Sequence, residues 1–237
     1  MNAPIAQHIV TSYEEELAGL DESIRQMIQR TEHQLELSLK ALEKGDLSQA
    51  KEAIDLDSLT DSHQMSLDGQ GVRMIALRQP MGRDLRAVIS TLRNAPQLER
   101  IGDYAANIAE RVETLARLEH SFNLEQLLQM GAMLIKAIAK LREAHESEDV
   151  NAAISVWSGD EEVDELHNGI FSSLLAHMAA HPEQADSSAH LVCIARDMER
   201  IGDHLTDVAE NIYYRVTGEV VRETRPKGDR TKSITLA

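Results

Sequence analysis

A single cysteine, Cys193, stands in the 237 residues, so no disulfide framework can staple the chain together. That fits a reducing compartment, and its setting in His190-Leu191-Val192-Cys193-Ile194-Ala195 reads as a small buried hydrophobe. Aromatic residues make up 3% of the chain against 42% hydrophobic residues in all, which suits helices packed on helices more than a β-sandwich. No apolar run approaches the roughly 20 residues needed to cross a bilayer. Met1 to Val10 carries neither a basic stretch nor a long apolar one, so no secretory signal is expected and the protein is expected in the cytoplasm. Basic charge is also short. With 24 Lys and Arg against 40 Asp and Glu, the formal charge is −16, which repels phosphate backbones and argues against nucleic-acid binding. There is no glycine-rich phosphate loop, no nucleophile elbow and no His-Glu-x-x-His.

What is present is helical periodicity. Leu17, Leu20, Ile24, Met27, Ile28, Thr31, Leu35, Leu39 and Leu42 recur at three- and four-residue spacing, predicting a long first helix. Ser12 with Glu15 predicts its capping box and Gly45 its stop. Asp46 is suited to cap a second helix reaching about Gln79, with a kink or close contact at Gly69 and Gly71. Pro80 and Gly82 break the pattern before a third helix over about 83–118, in which Pro96 predicts a kink. Helices over about 124–147, 150–180 and 183–217 repeat the plan, and Gly218 ends the last. No strand-like alternation persists. The fold class is therefore all-α: two tandem, sequence-related three-helix bundles built from six long helices, over 1–118 and 119–218. The polar remainder, 219–237, predicts a tail without regular structure.

The duplication is plainest at Leu98-Glu99-Arg100-Ile101-Gly102-Asp103, repeated one hundred residues later as Met198-Glu199-Arg200-Ile201-Gly202-Asp203. Within each copy two acids lie at i and i+4, on one helix face: Glu99 with Asp103, and Glu199 with Asp203. Like charges so placed repel, and a bridging cation would reverse the sign of that interaction. A second acid pair precedes each copy, Asp57 with Asp61 and Asp160 with Asp164. Antiparallel neighbouring helices would set these opposite the motif acids, offering hard oxygen ligands to Mg²⁺, Mn²⁺, iron or Zn²⁺. Asn107 and Asp207 continue the motif faces one turn on. The competing reading is solvated surface, since 40 acids in such a chain produce some of these pairs by chance. Gly102 and Gly202 favour the first reading, because glycine is unfavourable inside a helix unless a neighbour approaches closely. Asp164 with His167 at i, i+3 is the nearest approach to the Glu-x-x-His pairs of di-iron bundles, which are absent.

These residues resemble the PhoU family of phosphate-specific transport system accessory proteins. The resemblance rests on Arg78-Gln79-Pro80 with Asp84-Leu85-Arg86, on the two motif copies, on Asn107-Ile108-Ala109 and Ala209-Glu210-Asn211-Ile212, and on Val216-Thr217-Gly218-Glu219. It spans nearly the whole chain, from about Tyr13. It implies metal-binding acidic surface motifs, here at Glu99, Asp103, Glu199 and Asp203 with Asp57, Asp61, Asp160 and Asp164 facing them. It implies a non-enzymatic homodimer that represses phosphate uptake and the phosphate regulon. Such a protein would link the ATPase subunit of the phosphate ABC transporter to a phosphate-sensing histidine kinase, and meet the membrane only through those partners. The alternatives are a carboxylate-bridged di-metal helical enzyme and a metal-free helical scaffold. Three departures from the family pattern stand out: Gln97 in place of an acid, Pro96 beside it, and Asp207 in place of Asn. They weigh more on the first half than on the second.

Overall fold

In a computed structural model the chain folds into helices throughout, with residues 3–222, Gly228 and Thr231 described, side chains from residue 12 onward. In order they are α1 (Ala3–Lys44), α2 (Leu47–Asp55), α3 (Asp57–Arg78), α4 (Gly82–Leu115), α5 (Glu125–Ser147), α6 (Val150–Ala180) and α7 (Ala185–Thr217), with a 3₁₀ turn at Pro182–Gln184 before α7. No strand occurs among the described residues. The six expected helices are present, the second of them divided at Leu56 into α2 and α3.

Punctuation explains most of the boundaries. Gly45 at φ +63°, Gly82 at +58° and Gly218 at +77° take the left-handed conformation that side chains disfavour, so the chain turns there. Asp46 and Asp149 begin the second helix of each half in the same way. Asp46 accepts hydrogen bonds from the Ser48 and Gln49 amides, and Asp149 from those of Asn151 and Ala152. The capping box expected at Ser12 is absent. Helix α1 already runs from Ala3, and the Ser12 hydroxyl instead donates to Glu16 at 3.4 Å and accepts from Arg78 at 2.9 Å. Helix α3 runs on through Gly69 and Gly71, and α4 through Pro96. Gly71 marks a close approach, for a Cβ there would lie 2.6 Å from Leu92 Cδ2, whereas Gly69 faces open space.

One continuous core joins the halves. Leu20, Ile24, Met27 and Leu35 of α1 pack with Leu98, Ile101 and Ile108 of α4 and with Leu134, Ile194 and Ile201 of the second half, all at 2% exposure or less. The helices that carry the two motif copies, α4 and α7, lie against each other. Across that seam Tyr104 stacks on His204, with centroids 5.7 Å apart, and Arg111 pairs with Asp197 at 3.4 Å. Trp157 is buried and donates to Glu210 at 2.9 Å. Cys193 is half-buried and unbridged. Replacing Asp46 or Asp149 by Ala should each lower unfolding free energy by about 1 kcal/mol in urea titrations, since each change orphans helix-start amides.

Candidate acidic metal centre

The first acid set assembles in a groove between two helices. Asp57 and Asp61 project from the first turns of α3, and Glu99 and Asp103 from the middle of α4. Oxygens of Asp57, Asp61 and Asp103 lie within 4.8 Å of one another, and these form the one such group of three among the described residues. Asp57 and Asp103 are half-buried and Asp61 is exposed. Oδ1 of Asp57 is buried and accepts no hydrogen bond. Arg100 reaches back to Glu99 at 3.6 Å and to Asp103 at 3.4 Å, but its own side chain is 59% exposed and so screens them weakly.

Electrostatics follow from this crowding. Burial first, and the Asp61 carboxylate second, push Asp57 above the ordinary carboxylate range. Burial and the Asp57 charge do the same to Asp103, and burial with Asp103 beside it does so to Glu99. Each carboxylate is therefore held at a cost that a cation would offset. The donor set is all carboxylate oxygen, which fits hard ions such as Mg²⁺, Mn²⁺ or iron better than Zn²⁺, with its preference for nitrogen and sulfur.

Glycine and a third helix make the groove possible. A Cβ on Gly102 would stand 3.0 Å from Gln34 Oε1 and 3.3 Å from Thr60 Cγ2, so α1 and α3 both close on α4 at this point. Gln34 is fully buried, and its amide donates to the Ala53 carbonyl at 3.0 Å. Sequence reasoning did not assign Gln34 to the site. The signal was the polar run Thr31, Gln34 and Ser38 on an otherwise apolar α1 face. Glu110 was also missed. Its charge acts on Asp57, and its counterpart Glu210 falls in the echoed Ala-Glu dipeptide.

The second set is built on the same plan and sits deeper. Asp160, Asp164 and Glu199 are 4%, 4% and 6% exposed. Arg200 again reaches both motif acids, Glu199 at 3.8 Å and Asp203 at 3.6 Å, and Arg196 lies 3.6 Å from Glu199. Gly202 admits Asp160, whose Oδ1 would be 2.9 Å from a Cβ placed there. Where Gln34 lines the first groove, Leu134 lies beneath Gly202 in the second. His167 is buried one turn from Asp164. Asn107 is half-buried, and Asp207 borders a groove between α4 and α7 with Arg93, Pro96, Gln97, Glu210 and Asn211. Gln97 lies 2.6 Å from His204 Nδ1, so position 97, like Asp197 opposite Arg111, faces the other half of the molecule.

The PhoU domain family model matches twice, over residues 24–112 and 127–212, one copy for each acid set. The chain belongs to the PhoU family. The phosphate-specific transport system accessory protein PhoU homolog of Caulobacter vibrioides is 37% identical over 226 residues, covering 95% of this chain and 98% of that one. The protein of the same description in Rhizobium meliloti is 33% identical over 231 residues, 96% of each chain. The crystal structure of PhoU from Pseudomonas aeruginosa superposes with a TM-score of 0.84 at 28% identity, over 87% of this chain and all of that one. The phosphate transport system regulatory protein PhoU from Streptococcus pneumoniae gives 0.81 at 28%, over 89% and all. The chain is thus a PhoU-type phosphate transport accessory protein, and among its described residues no helix is long and apolar enough to cross a membrane.

In a PhoU chain free of metal, the raised carboxylates give a definite sign to the pH dependence. The folded state keeps protons on Asp57, Glu99 and Asp103 at pH values where the unfolded chain has released them. Their contribution to stability therefore declines as pH rises through the window just above the ordinary carboxylate range. Asp57→Asn/Asp103→Asn should flatten that decline relative to the wild-type protein in chelator-treated thermal melts taken across the window.

Proposed function

We propose that this protein is a cytoplasmic, non-enzymatic negative regulator of phosphate uptake, acting as an adaptor whose acidic grooves bind metal ions. In this reading it couples the ATPase subunit of the phosphate ABC transporter to a phosphate-sensing histidine kinase, works as a homodimer, and meets the membrane through those partners. Family membership over nearly the whole chain supports the phosphate role. The convergence of Asp57, Asp61 and Asp103 on one point carries the metal reading.

Asp57, Asp61, Asp103 and Glu99 would hold the ion of the first groove, and Asp160, Asp164, Glu199 and Asp203 that of the second. A bound cation supplies charge neutralisation. Held by Asp57 and Asp61 of α3 and by Glu99 and Asp103 of α4, it would fix the two helices together, and with them the outer face a partner would read. The chain's own part is to hold the carboxylates close, through Gly102 and the approach of α1, and to keep Arg100 at their rim without filling the groove. Asn107 and Asp207 would orient ligands from the next turn. Negative regulation follows if the transporter ATPase and the kinase share the metal-braced face.

Mn²⁺ at about one hundred times its Kd should stabilise the wild-type protein by about 2.7 kcal/mol, read as a rise in Tm. Asp57→Asn/Asp103→Asn should lose the first groove's share of that rise, and an equal rise in both proteins would remove the first groove from the account. In cells deleted for the chain, the wild-type gene should restore repression of phosphate uptake in phosphate-rich medium, and the variant should restore it incompletely. Full repression by the variant would separate the acids from regulation.

A further inference from the structure

The two acid sets differ in what lies over them. Ten residues beyond the end of α7 at Gly218, the chain touches α6 again. Gly228 is buried, its amide donates to Asp164 Oδ2 at 2.7 Å, and its carbonyl accepts from Asn168 Nδ2 at 2.7 Å. Asp164 and Asn168 are one turn apart, so the main chain of Gly228 is held at both ends against a single face of α6. The fit is close. A Cβ on Gly228 would stand 3.0 Å from Asp164 Cβ and 3.4 Å from the Glu161 carbonyl, so any side chain there would press on α6. Nine residues lie between Gly218 and Gly228, a link that can span up to about 30 Å.

Charge points the same way. Between Arg222 and Lys232 the sequence carries five basic residues, Arg222, Arg225, Lys227, Arg230 and Lys232, against Glu223 and Asp229. The segment is thus net positive by three in a chain whose total is −16. In the first half, Asp61, which matches Asp164, is exposed, and three carboxylates there converge without a covering segment among the described residues.

We infer that Gly228 is a built-in occupant of the second acid cluster, docked through its main chain on Asp164 and Asn168, and that it holds cations off that cluster until displaced while the first stays open. The chain then carries one cation site free to respond to metal supply and one held under the Gly228 main chain. A partner or a cation that displaces the tail would open the second site. The cation half of this inference rests on the metal reading proposed above, whereas the docking half does not.

The test uses the full chain and three proteins: wild type, Gly228→Leu, whose side chain crowds the α6 surface, and Asn168→Ala, which removes the donor to the Gly228 carbonyl. Trypsin reads the docking through cleavage after Lys227, because cleavage follows the population of the released tail. Both variants should be cut roughly tenfold faster than the wild type, and equal rates in all three would overturn the docking. Mn²⁺ bound per chain, counted after equilibration and desalting, reads the exclusion. Gly228→Leu should bind more Mn²⁺ than the wild type, and the excess should vanish when Asp164→Asn is added. Equal loading of wild type and Gly228→Leu, with the first cluster filled in both, would overturn the exclusion. If no protein takes Mn²⁺, the metal reading of both clusters falls and the cation half with it, while the cleavage contrast still decides whether the tail docks.

Discussion

Mutual repulsion among carboxylates confined in a narrow groove is the constraint on which this structure turns. Asp57, Glu99 and Asp103 all hold their protons more tightly than free carboxylates do, and for each the first cause is burial and the next is another acid of the same set, so each charged group makes its neighbours less favourable. Water alone would separate such groups by letting the helices move apart. What keeps them close is the packing around Gly102, where a bare Cα lets α1 and α3 both close on α4. Glycine mid-helix sacrifices roughly 1 kcal/mol of helix propensity relative to alanine. A fold that accepts this twice, at Gly102 and again at Gly202, has its helix spacing set by the acids' groove and not by helix propensity. Arg100 and Arg200 stand at the rims, each near two motif acids at 3.4–3.8 Å. Arg100, at 59% exposure, is too exposed to cancel the repulsion within the first set.

Duplication repeats the skeleton but not the surroundings. Asp46 and Asp149 start matching helices, and the acid pairs and glycines recur in register. Under the first groove lies the buried amide of Gln34, and under the second the apolar Leu134. The second acids are more deeply covered, and there a glycine main chain occupies an oxygen of Asp164. The motif helices also lie back to back, joined by the Tyr104–His204 stack and the Arg111–Asp197 pair. Half-buried Asp197 is pushed above the ordinary carboxylate range chiefly by burial, with Arg111 pulling it back.

Much of this was legible in the residues. The paired hexapeptides located both grooves, and the i, i+4 acids on the preceding helices located the opposite walls, because helix geometry fixes which residues share a face. Gly45, Gly82 and Gly218 marked ends that the backbone confirms with positive φ. Other features left no local sign. The break at Leu56 keeps right-handed helical angles and involves neither glycine nor proline, so periodicity passes through it. Ser12 looked like a cap because its hydroxyl suits one, yet here it serves Glu16 and Arg78. Gln97 stood out as a lost acid, whereas its position faces His204 across the seam and away from the groove question altogether. Gly228 could not be found from composition, since the contact is made by a backbone amide in a polar, basic stretch. The boundaries drawn at 118 and 218 describe the duplication, while the core itself runs through both halves without interruption. Of the tail expected to lack regular structure, only 219–222, Gly228 and Thr231 lie among the described residues.

The claim that most needs direct observation is that the first groove holds a cation on Asp57, Asp61 and Asp103. Crystals of the full chain grown without chelator and soaked in Mn²⁺ would answer it by anomalous diffraction at the manganese edge. The account predicts a strong peak between α3 and α4, within coordination distance of those three carboxylates. Manganese-soaked crystals with no peak in that groove would contradict it and return the acids to solvated surface.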